Sequence, residues 1–392
     1  MSGPEASGPE ALETEGRALL AAGHMEQAER RAREALAAGA MSVSCWHMLV
    51  IAVRAQGRIE EARQIYEMLV ERFPGNLSLR FELSETLLLL GDFERGWREY
   101  HHRYGMPHTT QLERRVQRPR WDGRPIPGKT LLIHDEQGYG DTFQFLRMVA
   151  WAKARSQARV VLQVNQDQAS FARRSSGADE LVLRGQLPPP FDLHCEMMSL
   201  PMAMGLTLAD LPGRIPYLEA EPARVKRWRR RLAKLPRPLV GLVWAGRPTH
   251  LNDANRSVPL NALAPLAVPD GGTFLALQKG PAAAQALTPP RGMRIERLDG
   301  EIADFEDTAA ILTVADLLVS VDSAPVHLAG ALGRPAWVML PYVPDWRWLL
   351  GRDDTPWYPS LRLFRQPARG DWDSVARAVA DGLRALERAN PA

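Results

Sequence analysis

Two short segments carry residues whose types and spacing suit work on a phosphorylated substrate. The first is Val314 to Leu340, VADLLVSVDSAPVHLAGALGRPAWVML. An apolar run from Leu317 to Val321 stops at Asp322-Ser323, an apolar-faced stretch follows, and a second apolar run opens at Ala336. That pattern is strand, turn, helix, strand. Ser323 stands where a helix cap belongs, Pro325 fits the first turn, and Gly333 with Pro335 ends the helix. The helix N-terminus then opens where the strand ends, with unpaired N–H groups and a positive dipole end, which suits a phosphate. The same residues also read as an ordinary βαβ crossover with a good cap. The second segment is Asp135-Glu-Gln-Gly-Tyr-Gly-Asp141. Gly138 and Gly140 flank Tyr139 and let backbone and substrate approach closely, and Asp141 brings a carboxylate to a helix start. The dipole there lowers a carboxylate's pKa and weakens it as a base, so a plain capping role competes with a catalytic one. His134, Glu136 and His327 are further titratable candidates, and a packed structural histidine is the competing reading of His327.

Strands and helices must position these residues. Lys129 to His134 is a short apolar strand, followed by the Gly-rich turn, an apolar-faced helix TFQFLRMVAWAKA, and a second strand at Val160 to Val164. Alternation continues to about Tyr217, and a helix at 223–235 leads out. At Pro238 the pattern restarts with LVGLVWAG, FLALQKG, MRIERLDG and LLVSV. Two successive sets of buried parallel strands interleaved with helices predict two facing Rossmann-like domains. A last amphipathic helix, Trp372 to Ala389, is expected to pack back across the domain junction.

Composition bounds the rest. The chain has 392 residues, enough for two or three domains with real cores. A net charge of +3 is small for that length and does not argue for nucleic acid. The most basic run, RVKRWRRR at 224–231, reads as the solvated face of a helix. Cys45 and Cys195 are the only cysteines, with no disulfide or zinc spacing, which fits a reducing cytoplasm. No apolar stretch is long enough for a membrane span. The acidic N-terminus lacks an apolar leader core, so residues 1–10 are expected to form a disordered tail.

The N-terminal third is repetitive. Gly23, Gly57 and Gly91 recur every 34 residues, as do the small residues Ala28, Ala62 and Gly96. Each glycine separates two amphipathic segments, and the small residue five positions later lets antiparallel helices approach. Tyr66 and Tyr100 share the period, and Pro74 and Pro107 close the second and third units. A 34-residue helix-turn-helix period resembles the tetratricopeptide repeat. Such stacks offer a concave surface to peptides or partner domains; padding or dimerising an enzyme is the competing role.

The segment VDSAPVHLAGALGRP resembles the Asp-Thr-Gly-Pro-x-His-Leu-x-x-Ala-Leu-Gly signature of the heptosyltransferase-like glycosyltransferases of family 9, which have the GT-B fold. GYGDTFQFLR, GLVWAGRPTHLNDANRSVPL, FLALQKG and PYVPDWRWLLGRDDTPWYPSLRLFRQ agree with it in order. The chain looks like bacterial proteins that carry tetratricopeptide repeats ahead of this domain. It departs in having Ser323 for the usual Thr and Ala324 for the usual Gly; a Cβ at Ala324 hinders phosphate approach if a positive φ is needed there.

The resemblance implies a helical repeat stack followed by an α/β GT-B fold. Its expected divisions are repeats at 11–107, a linker at 108–128, an acceptor domain at 129–222, a linker helix at 223–236, a nucleotide-sugar domain at 237–370 and a C-terminal helix at 371–392. It implies a transferase moving a sugar from a nucleotide-sugar donor to a protein or glycan, inverting and metal-independent, with no cofactor, and with the repeats recruiting the acceptor. An inactive GT-B scaffold acting as an adaptor is the alternative. Asp141 matches the family's proposed base. Arg256 matches a basic residue that contacts donor phosphates, with an ion pair to Asp253 as its plain reading. Lys279 offers a second cation or is a loop lysine. Ser323, Ala324, Pro325 and His327 complete the phosphate turn, while Gly138, Gly140, Trp244, Asp322 and Trp346 are possible donor or acceptor contacts. Trp346, Trp348, Trp357 and Tyr358 read more readily as core anchors than as a stacking platform. Asp304 and Asp307 are not spaced as a metal site.

Overall fold

A computed structural model describes residues 8–105, 118–211, 213–250, 252–267 and 272–389. Most of the expected N-terminal tail and residues 108–117 of the expected linker lie outside the described residues. The described chain forms two compact units, one made of the repeats together with Val343–Leu350, the other of the remaining α/β elements.

The repeat unit is three helix pairs: α1 (Pro9–Ala21) with α2 (Met25–Ala37), α3 (Val43–Ala55) with α4 (Ile59–Arg72), and α5 (Leu77–Leu90) with α6 (Phe93–Tyr100). The 34-residue glycine column has a backbone cause. Gly23, Gly57 and Gly91 have φ of 84°, 79° and 87°, a left-handed conformation that reverses the chain between paired helices at little cost only for glycine. The small-residue column is a packing constraint, with Ala28 and Ala62 fully buried. Ser42, Asn76 and Asp92 cap α3, α5 and α6 by accepting a backbone N–H.

The α/β unit holds two all-parallel sheets. The first comprises β1 (Thr130–His134), β2 (Arg159–Val164), β3 (Glu180–Leu183) and β4 (Leu193–Glu196), in the order β3-β2-β1-β4. The second comprises β5 (Leu239–Val243), β6 (Thr273–Ala276), β7 (Ile295–Arg297), β8 (Leu317–Val321), β9 (Ala336–Leu340) and β10 (Leu361–Arg365), in the order β10-β9-β8-β5-β6-β7. That is the doubly wound order, reversing direction between β5 and β8; the first sheet reverses likewise between β1 and β4. Open α/β sheets bind ligands beyond the carboxyl ends of strands at such reversals. The central strands LVGLV, LLVSV and AWVML are buried throughout, which explains their unbroken apolar runs.

Helices α7 (Tyr139–Phe145), α8 (Arg147–Ser156), α9 (Ala169–Ser175) and α10 (Leu200–Met204) serve the first sheet. Then come α11 (Pro222–Leu232), α12 (Asp253–Arg256), α13 (Phe305–Val314), α14 (Ala324–Ala331) and α15 (Trp372–Ala389). The basic run on α11 is a largely exposed face, with Lys226, Arg229 and Arg230 in solvent, and part of it is also paired: Arg224 and Arg227 with Asp307, Arg224 also with Asp304, and Arg231 with Glu296 and Glu301. Carboxylates distant in sequence thus hold three of its arginines, a pairing that local pattern does not reveal. Among the described residues, Val375, Ala376, Val379 and Leu383 of α15 join the second sheet's own core beside Trp337 and Phe364. Among the described residues no helix is long and apolar enough to cross a membrane.

Candidate functional site

Chain reversal brings the two Gly- and Ser-marked turns together. Helix α7 follows β1 and α14 follows β8, so each starts at the carboxyl end of a strand bordering its sheet's reversal. Their first turns touch. A Cβ built on Gly140 would lie 2.9 Å from His327 Cδ2 and 3.6 Å from Ala324 Cα, so only glycine permits this approach without displacement. Asp141, one residue on and half-buried, accepts the Gly138 N–H at 2.8 Å. Asp141, His327 and Ala324 thus share one neighbourhood, as do Gly138 and Gly140.

The turn before α14 differs from expectation in one detail. Ser323 occupies the cap position, yet its side chain makes no capping hydrogen bond; its hydroxyl lies 3.0 Å from Ser320 Oγ instead. Ser320, fully buried at the end of β8, donates to the Val321 carbonyl at 2.6 Å, so the two hydroxyls form a pair turned toward the strand. Ala324 has no positive φ and begins the helix normally, so its Cβ imposes none of the backbone strain that was the concern there. Pro325, in the first turn, lacks an N–H. Asp322 is buried, with Oδ1 3.9 Å from His327 Nε2. His327 Nδ1 shares a hydrogen bond with the Tyr358 hydroxyl at 3.1 Å.

Tyr358 connects the turn to a polar network that the sequence reading missed. The Arg147 guanidinium stacks 4.2 Å from the Tyr217 ring centre and 4.9 Å from that of Tyr358. It donates to the Tyr217 hydroxyl at 2.9 Å and to the Trp357 carbonyl at 3.2 Å, and Tyr217 donates to the Phe143 carbonyl at 2.9 Å. Burial pushes the Tyr217 phenol up, against the pull of Arg147, so it stays a neutral donor. Gly330 explains how Tyr358 comes so near α14: a Cβ there would sit 2.4 Å from the ring. A second bridge joins the sheets where Ser170 and Arg174 of α9 donate to Glu306 of α13 at 2.5 and 2.7 Å. An arginine inside the apolar run FQFLRMVAW was the available signal for Arg147.

The remaining predicted residues are each held by pairing or burial of their own. Arg256 ends α12 and pairs with Asp253 at 3.3 Å, both largely covered, against Gly246, where a Cβ would lie 2.6 Å from the guanidinium. Lys279 donates to the carbonyls of Asp299 and Ile302 at 2.5 and 3.0 Å, which ties down the loop before α13. Trp244 is fully buried in the second sheet's core, so its ring contributes packing. Its backbone N–H and that of Ala245 are both held by Gln278 Oε1, at 3.0 and 2.9 Å. Gln278, 3% exposed at the end of an apolar strand, shapes the loop leading to Arg256. Trp346 belongs to the repeat unit, edge-on to Trp97. Trp357 and Tyr358 are fully buried. Asp304 caps α13, and Asp307 accepts from Trp228 Nε1 at 3.0 Å as well as from arginines.

At the first sheet's reversal the ends of β1 and β4 carry a buried charged group. His134 Nε2 lies 3.2 Å from His194 Nδ1, and Arg120 Nε donates to both Glu196 carboxylate oxygens at 2.9 and 3.1 Å, with its Nη2 2.8 Å from Oε1. Burial alone would raise the Glu196 pKa, but the Arg120 hydrogen bonds and charge outweigh it and hold the carboxyl at about 2. Burial also lowers His194, beyond the opposing effect of Glu196. Among the described residues these three are the one group spaced to hold a metal ion, and Arg120 already engages the carboxylate such an ion would use. Glu136 accepts the Met198 N–H at 3.1 Å, and Asp135 pairs with Arg184 at 2.9 Å.

Comparison with known proteins agrees with both resemblances read from the sequence. Residues 13–76 and 47–96 match the tetratricopeptide repeat family, and residues 283–338 match glycosyltransferase family 9 (heptosyltransferase). Protein FlbA of Caulobacter vibrioides is 29% identical over 357 residues, which is 84% of this chain; the chain spans 59% of that relative's length. Among solved structures, E. coli ADP-heptose LPS heptosyltransferase II is similar with a TM-score of 0.47 and 15% identity, covering 66% of this chain and 99% of that one. A family 9 glycosyl transferase from Veillonella parvula is similar with a TM-score of 0.48 and 10% identity, covering 69% and 100%.

Proposed function

We propose that the protein moves a sugar from a nucleotide-sugar donor to a protein or glycan acceptor, by a single inverting displacement that uses no metal. The observation that carries this is the contact of Gly140 with His327 and Ala324. It sets the turn holding a carboxylate against the turn with a helix N-terminus suited to a phosphate. The family 9 match over residues 283–338 supports sugar transfer, and it includes the phosphate turn.

Asp141 takes the proton of the acceptor hydroxyl as that oxygen bonds to the anomeric carbon. The bond from that carbon to the donor phosphate breaks, and the nucleotide diphosphate leaves with the electron pair. The N-terminal amides of α14 and the Arg256 guanidinium receive the growing phosphate charge. Residues 129–222 then form the acceptor half and 237–370 the donor half. The repeats recruit the acceptor, as stacks of this kind bind partners on a concave face. Two free, buried cysteines accord with a reducing cytoplasm.

A second reading, an inactive scaffold, has its own support: Asp141 is satisfied by the Gly138 N–H, Arg256 by Asp253, and Lys279 by two carbonyls. A panel of nucleotide sugars offered to the whole protein separates the two. Thermal shifts with one nucleotide class, together with donor hydrolysis or transfer, support the transferase. A panel with no binding and no turnover supports the scaffold.

A further inference from the structure

The eight residues Val343–Leu350, between β9 and β10 in sequence, pack as part of the repeat unit. Their short helical turn Trp346–Trp348 lies on α5. The Trp346 ring meets Trp97 of α6 edge-on, with centres 5.1 Å apart at 88°, and Tyr100 at 6.1 Å and 69°. Tyr100 in turn meets Phe81 of α5 at 5.5 Å. Arg347 covers the other side of Trp346 at 4.1 Å and is fixed by Asp345 at 2.9 Å. Trp346, Arg347 and Trp348 are 2%, 7% and 0% exposed, an unusual degree of burial for so short a segment between strands. Leu349 adopts φ 52° and ψ −167°, which a branched side chain holds only where its surroundings impose it. The segment's charges also reach α5. Desolvation first, then Asp345 and Glu82, push Glu85 up to about 7 against the pull of Arg54 and Arg347.

We propose that the third repeat carries a peptide-recognition site for a Trp-Arg-Trp segment, and that residues 343–350 of this chain are its resident ligand. The site consists of Phe81, Trp97 and Tyr100 as an aromatic wall and α5 as a floor. Trp346 is the anchor, because aromatic residues packed in a dry pocket carry most of the energy at such contacts. A stack whose last repeat is filled in cis leaves the first two repeats to an outside partner. This inference is independent of the transferase reading.

The full chain and its Trp346→Ala variant test the proposal, using amide exchange and a labelled synthetic peptide of residues 341–351. In the variant, exchange in α5 and α6 should rise by about tenfold or more while α1, α2 and the sheets keep wild-type protection. The peptide should bind the variant and restore α5–α6 protection, and it should not bind wild type, whose site is filled. Unchanged exchange in α5 and α6, or equal peptide binding by both chains, overturns the proposal. Should Trp346→Ala raise exchange across the sheets as well, Arg347→Ala is read in its place. A selective rise in α5–α6 supports the proposal there, and no rise refutes it.

Discussion

The turns that open α7 and α14 occupy equivalent places in their sheets, yet they treat their free N–H groups oppositely. At α7 the chain supplies its own anion: Asp141 reaches back to the Gly138 N–H at 2.8 Å. At α14 the cap residue does not do so: Ser323 turns to Ser320 and makes no cap, while the carboxylate beside it, Asp322, is buried with Oδ1 3.9 Å from His327 Nε2. The surroundings differ too. The reversal between β1 and β4 is filled by His134, His194, Glu196 and Arg120. Past the end of β5, Gly246 is packed against the Asp253–Arg256 pair, and Ser320 of β8 pairs with Ser323. On the proposed reading the incoming diphosphate is received at the second turn, where the cap position supplies no side-chain acceptor. On the same reading Asp141 at the first turn is the proton acceptor.

The comparison breaks most sharply on Asp141. Asp141→Asn keeps the shape and removes the base, so turnover should fall by about 10²–10⁴-fold, the usual worth of a positioned general base. Affinity for the nucleotide diphosphate should stay within about twofold by calorimetry, since on this reading Asp141 does not touch phosphate. A loss of affinity as large as the loss of turnover would place the phosphate at α7 and reverse the assignment.

Acid should distinguish the two reversals next. Glu196 has a folded pKa of about 2 against an ordinary 4.5, so its paired form stabilises the fold above pH 4.5. That contribution, of order 3 kcal/mol for a carboxylate this buried, is lost as pH falls from about 4.5 toward 2. Amide exchange through β1 and β4 should therefore rise in acid before that of β5 and β8. An Arg120→Ala variant, which strands the carboxylate, should show the loss already at neutral pH.

Arg256 gives a smaller effect of opposite kind. Arg256→Ala should weaken nucleotide diphosphate binding by roughly 10- to 100-fold, the range for one charge-assisted contact, with a similar loss in kcat/KM. Unaltered binding would leave Arg256 as no more than the partner of Asp253.

Much of this arrangement was legible in the sequence, for physical reasons. Helix turns and buried parallel strands are local: the glycine column at 23, 57 and 91 is dictated by backbone conformation, and the apolar runs by burial on both faces. The approach of Gly140 to His327 follows from the strand ends that fix their turns. Pairings across distant segments were not legible. The partners of Arg224, Arg227 and Arg231 were hidden because Asp304, Asp307, Glu296 and Glu301 lie some 65–80 residues away in sequence. Trp346 was legible as a core anchor, but its partner was not, because nothing local marks Trp97. The Arg147, Tyr217 and Tyr358 network joins three separate segments and had no spacing to betray it.

Ser323 provides the finest test, because sequence and structure disagree about it. A serine that caps a helix stabilises it by about 1 kcal/mol, and its replacement by alanine costs that much. Here the hydroxyl pairs with Ser320 Oγ, so the helix loses no cap when it is removed. Ser323→Ala should then lower stability by less than about 0.5 kcal/mol, the range for substitutions that break no key contact, measured by denaturant unfolding. The informative measurement is the same variant with nucleotide diphosphate bound. If the hydroxyl swings from Ser320 to a phosphate oxygen, the ligand-induced rise in melting temperature shrinks in Ser323→Ala although the free protein is unaffected. If the rise is the same in both, backbone amides and Arg256 hold the phosphate alone, and the open α14 turn differs from the closed α7 turn through its backbone rather than its serine.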